Sequence, residues 1–178
     1  MNSVLEGSFY KLEERKKNLL QKLENIDEEL LTRRPGEGQW SVVQVITHLS
    51  DSEQGSLAYC MKKINAGKDL PDMNFLNNVK MRLFNLFLYS KIKYKVPSRF
   101  KSPDGNINYP EACINWYNTR ESWRKFLDVY PDEYMSKAIF KHPVAGRISL
   151  ESSIWFFEAH LRHHEYQIDR ILNKVSLS

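Results

Sequence analysis

The sequence predicts a single all-α domain, and three observations carry that expectation. Several long stretches place apolar residues at three- and four-residue spacing, Gly- and Pro-rich pieces separate them, and sustained strand alternation is absent. The chain has 178 residues, of which 42% are hydrophobic and 27% charged, enough to bury a core without disulfides. We read residues 1–178 as one domain, with no internal repeat and no linker to a second one.

The first helix is expected from Leu5 to Leu31, where Leu12, Leu19, Leu20, Leu23, Ile26, Leu30 and Leu31 alternate with charges as on an amphipathic surface helix. RRPGEGQ then breaks the chain. The second helix has the clearest start: Ser41 and Gln44 form a capping box, with Trp40 and Val45 at hydrophobic-staple positions. It should run from Val42 to about Ala66 and end at Gly67, with Val42, Val45, Ile46 and Leu49 facing inward. Ser52, Gly55, Ser56 and Ala58 would let a neighbouring helix come close.

After Pro71 a third helix is expected from Phe75 to Lys91. Pro97, Pro103 and Asp104-Gly105 mark turns in the polar connection that follows. Pro110 suits the first turn of a fourth helix, which should end near Tyr130, before Pro131, and turn Trp116, Trp123, Phe126 and Leu127 inward. An irregular segment with a short extended piece, AIFKHPVAGRIS, leads into the last helix, from about Leu150 to Asn173.

Composition narrows the function classes. No apolar run approaches the roughly 20 residues of a membrane span, since the richest one, Leu83 to Tyr89, is short and contains Asn85. The first residues turn charged at once and carry no signal-peptide core, so a cytoplasmic location is the default expectation. Cys60 and Cys113 belong to no Cys-x-x-Cys pair and read as reduced, packed thiols. The net charge of +4 is densest between Lys91 and Lys101. A solvated helix end and loop accounts for it, because cations favour helix C-termini. Neither nucleic acid nor a membrane is expected as partner.

Chemistry concentrates in the last helix. On a 3.6-residue period Phe157, Leu161, His164, Ile168 and Ile171 share one narrow stripe, so His164 stands where the pattern calls for an aliphatic residue. His160 lies one turn earlier and about 40° round the axis, so both imidazoles can point at one ion. His163 faces well away and is expected to be exposed. A His-x-x-x-His pair alone is equally a packing feature, and a metal needs a further ligand from another element. His48, beside Val45 and Leu49, supplies one if the second and last helices are neighbours. Spacing alone leaves that neighbourhood open. His142 precedes Pro143 in a loop, has no helical partner and is left out.

Two segments carry a family resemblance. GEGQWSVVQVITHLSDSE resembles the second-helix pattern of the DinB-like superfamily, a Trp-Ser start followed by a His-Leu pair. HPVAGRISLESSIWFFEAHLRHHEYQIDRIL looks like its C-terminal pattern, His-Pro-x-x-Gly and then His-x-x-His-His-x-x-Gln-Ile. The likeness extends over nearly the whole chain and is strongest to the YfiT-type metal-dependent hydrolases and the related bacillithiol-transferase-like members. It implies a four-helix bundle, often a homodimer, with one divalent metal ion (nickel, zinc or iron) on His48, His160 and His164.

The function implied is that of a metal-dependent hydrolase or thiol S-transferase acting on a small molecule, with a metal-activated water or a low-molecular-weight thiol as nucleophile. The alternative is a non-catalytic metal-binding stress-response or interaction module. Asp51 and Ser52 are one turn from His48, Glu158 and Gln167 lie near the other pair in sequence, and each is otherwise an exposed polar residue; Asp51 is the candidate to orient an imidazole. Glu158 faces away from His164 and reads as exposed. Tyr59, Trp116, Trp123, Trp155 and Phe156 are candidates to wall an apolar pocket near the metal, or are simply core.

Overall fold

Asn2 starts the first helix, α1 (Ser3–Leu23), by accepting a hydrogen bond from the Val4 amide. The computed structural model describes residues 1–66, 70–90, 103 and 106–177. The single first helix expected from Leu5 to Leu31 is two. Asp27 caps a separate short helix, α2 (Glu28–Thr32), through the Glu29 amide, and the turn between them breaks the register. Apolar spacing continues across that turn, because Ile26 in the turn and Leu30 in α2 both pack on the core.

Helix α3 (Val42–Asn65) begins at the expected capping box, whose two reciprocal bonds join Ser41 and Gln44. Helix α4 (Phe75–Tyr89) stops two residues short of the expected end, at Ser90, and Asn74 caps its start. Helix α5 (Tyr109–Asp128) has Pro110 in its first turn. A short 3₁₀ turn, Asp132–Tyr134, precedes an antiparallel hairpin of β1 (Phe140–His142) and β2 (Gly146–Ile148), which pairs His142 with Gly146. Gly146 takes φ +80°, a conformation that favours glycine. Ser149 then caps the longest helix, α6 (Leu150–Val175).

The protein is helical, with this small hairpin its only sheet among the described residues. Helix α3 packs against α5 and α6, α1 packs against α6 and touches α5, and α4 packs against α6. The apolar stripes meet as predicted: Val42, Val45, Ile46 and Leu49 are buried with Trp116, Trp123 and Leu127 and with Phe157, Leu161, Ile168 and Ile171. Of the small residues of α3, Ser56 is buried and Ser52 half-buried, but the other two make no close helix approach. Gly55 and Ala58 are exposed, and no neighbour approaches the Gly55 Cβ position. Helix α5 meets α3 through Glu53, whose carboxylate accepts from Arg120 and from the Trp116 indole. Cys60 and Cys113 are free thiols. No helix of the described residues is long and apolar enough to cross a membrane.

Candidate metal centre

The capping box sets where α3 starts and so sets which residues turn inward two turns later. His48 is one of them. From α6, the i, i+4 pair His160 and His164 meets it, because α3 and α6 are packed neighbours. The neighbourhood that spacing left open is therefore present.

Three Nε2 atoms converge. His160 Nε2 lies 3.0 Å from His164 Nε2 and 3.3 Å from His48 Nε2. Two nitrogens each ~2.1 Å from one ion stand ~3.0 Å apart at right angles and ~3.4 Å apart at the tetrahedral angle. The spacing therefore fits a shared first-row divalent ion. The protonation states fit as well. Burial holds the His48 imidazole down at about 4. Burial, reinforced by the neighbouring histidines, holds His160 and His164 well below 6.5. All three are neutral at pH 7, the state a ligand requires.

Hydrogen bonding alone does not complete this cluster. His164 Nδ1 donates to Gln167 Oε1 at 2.8 Å, which leaves its Nε2 lone pair facing the other rings. One proton on His160 Nε2 would bridge to only one of its two neighbours. A cation in the middle meets all three lone pairs at once. These three residues form the group among the described residues that could hold a metal ion.

The family model of the DinB superfamily matches residues 11–168. The chain belongs to the DinB superfamily. No curated protein and no solved structure matches it.

The surroundings of the site in this DinB superfamily member differ from the sequence expectations in several places. Asp51 is exposed, and no hydrogen bond joins it to the histidines among the described residues. Gln167, not Asp51, is the residue that holds an imidazole, through His164. The signal that could have found it is local, since an amide three residues after His164 sits over the same face of the helix. His163 is buried, because α4 packs against α6. Glu158 does face away from His164, yet it is half-buried, paired with Arg15 at 3.0 Å and with the Tyr89 hydroxyl.

Of the aromatic residues proposed as pocket walls, only Phe156 reaches the triad, stacked on the His160 ring at 5.2 Å between centroids. Trp116 and Trp123 are core, their indoles donating to Glu53. Tyr59 packs on Phe140. Trp155 is exposed and donates to Ser8. It lines a cleft of about 990 Å³ with Tyr89, Glu158 and Glu165, which none of the triad histidines lines. Trp40 is instead a neighbour of the site, its ring 5.0 Å from that of His48. The basic stretch from Lys91 to Lys101, together with Gly67, Pro97 and Asp104-Gly105, lies outside the described residues.

Proposed function

We propose that this protein is a metal-dependent enzyme acting on a small molecule, with one divalent ion held by His48, His160 and His164. The observation that carries the reading is the convergence of three neutral imidazole Nε2 atoms drawn from two helices. Nitrogen donors suit nickel, zinc or iron alike. Such an ion supplies Lewis acidity to whatever fills its remaining positions, which serves both hydrolysis and the transfer of a low-molecular-weight thiol to an electrophilic carbon.

The chain's own residues prepare that site. Burial keeps the imidazoles unprotonated, and Gln167 fixes the tautomer of His164. His48 and His160 are only half-buried, so a small molecule can reach the cluster from their side. The site serves either reaction, because an ion bound there would lower the pKa of a water or of a thiol alike, and the hydrogen-bond partner of the triad is the neutral Gln167 amide in both cases. A homodimer belongs to the same reading, and the exposed Leu76, Leu83 and Leu86 on one side of α4 are the apolar surface it would cover.

Metal content of the purified protein, measured by mass spectrometry beside His48→Ala, His160→Ala and His164→Ala, tests the site. Near-stoichiometric metal in the parent and its loss in each variant is the expected result. Thiol-dependent consumption of a chlorinated or epoxide electrophile then separates transferase from hydrolase. Metal without turnover of either kind would favour a binding module, and a parent that takes up no nickel, zinc or iron would overturn the reading.

A further inference from the structure

The three histidines are braced unequally. His164 is held by a hydrogen bond from Nδ1 to Gln167. His160, at the centre of the cluster, makes both of its hydrogen-bonding contacts through Nε2, and none to Nδ1 is present among the described residues. Metal-ligating imidazoles usually have the second nitrogen held by a carboxylate, carbonyl or water. His160 has an aromatic face beside it: Phe156 lies nearly parallel to it, with 16° between the planes.

Phe156 is itself held in orientation. The His142 ring meets it nearly edge-on, 4.5 Å away and at 69°. His142 is buried, and its Nδ1 accepts from the Val144 and Ala145 amides at 3.2 and 3.0 Å, which clamps the imidazole to the hairpin turn. The turn depends on Gly146 at positive φ, paired with His142 across the strands. The His-Pro-Val-Ala-Gly stretch that opens the hairpin thus delivers one rigid ring against Phe156.

We propose that Phe156, with His142 behind it, is a positioning pair that sets the ring plane of His160 for metal binding, taking the part a hydrogen bond plays at His164. The proposal rests on the three-histidine metal reading above. A stacked benzene ring suits this work for an electrostatic reason. An imidazole that donates its lone pair to a cation becomes electron-poor, and its attraction to the electron-rich face of Phe156 grows. The brace is therefore stronger in the metal-bound state than in the free one, which adds to affinity as well as to geometry.

The test is titration of the full chain with Co²⁺, followed by its visible absorption spectrum, together with Zn²⁺ affinity by chelator competition. Phe156→Leu keeps an apolar side chain and removes the flat face. His142→Asn keeps an oxygen able to accept from the turn amides and removes the ring. Each should weaken metal affinity about 10-fold or more and shift the cobalt spectrum, while Phe156→Tyr keeps both near the parent. Parent affinity and spectrum in Phe156→Leu would overturn the proposal and leave the metal reading standing. A parent that binds neither metal would remove the metal reading itself. If Phe156→Leu does not fold, the contrast between Phe156→Tyr and His142→Asn decides: equal cobalt spectra in those two overturn the pairing.

Discussion

Helix α3 turns two polar groups five residues apart towards its neighbours, the half-buried His48 and the buried Glu53, and they are resolved in opposite ways. Glu53 is 2% exposed, and complementary donors surround it: the Arg120 guanidinium and the Trp116 indole on its carboxylate, and the Trp123 indole on its backbone oxygen. Glu13 pairs with Arg120 from α1 at 2.6 Å. This cluster is closed, since every donor named has an acceptor within the protein. His48 meets two more histidines, groups of its own kind, and like groups with lone pairs facing inward are completed only by something from outside. A buried polar cluster of complementary partners is architecture, whereas one of identical partners is a ligand site.

The largest effect should come from opening the closed cluster. Glu53→Ala leaves a fully buried guanidinium with Glu13 alone and the Trp116 indole without its acceptor, while Trp123 keeps the backbone oxygen. Urea unfolding should then show a loss of about 3–5 kcal/mol, the range for breaking a buried charge pair. That loss should be the same with and without added metal. A variant as stable as the parent would mean that water replaces the carboxylate and that the cluster is not closed.

The open cluster should respond to metal in the reverse manner. At ~100 times its dissociation constant, a bound ion adds about 2.7 kcal/mol to the parent. His164→Ala should abolish that increment. An equal increment in the variant, seen as the same metal-induced rise in Tm, would place the ion elsewhere.

Acid should separate the two regions further. In the unfolded chain each histidine titrates near about 6.5, whereas burial holds folded His48 at about 4 and its partners well below the usual value. Between those values the unfolded chain binds more protons than the folded one. The histidine contribution to stability is therefore intact above pH ~6.5 and is lost as the pH falls towards the lowered folded values, about 4 for His48. His48→Ala should flatten this slope in metal-free protein, measured by urea unfolding at a series of pH values. An unchanged slope would show that His48 is already protonated in the fold.

The smallest effect should come from the partner of His164. Gln167→Ala should weaken zinc binding about 10-fold, the lower end for losing such a partner. Asp51→Ala, at an exposed position, should leave both affinity and Tm at the parent values. Reversal of that order would restore Asp51 as the residue that orients the site.

Much of this was legible along the chain. The capping box of Ser41 and Gln44 and the inward stripe of α6 are local patterns, governed by backbone donors near a helix start and by a 3.6-residue period. The break before Asp27 was not legible, because one apolar face runs through both pieces of the first helical stretch. The burial of His163 was not legible either. A helical period gives the direction of a side chain, not whether another helix, here α4, lies over it.

By itself the sequence determined the helical class, the starts of α3, α5 and α6, and the three histidines as a candidate set, because these follow from contacts within a few residues. The tertiary structure decided that α3 lies beside α6, so that three nitrogens meet. It also decided that Asp51 stays exposed, away from the imidazoles, and that the hairpin carrying His142 reaches Phe156. Those outcomes depend on which helix faces pack together, and the packing is set by the burial of the whole core rather than by any local run of residues.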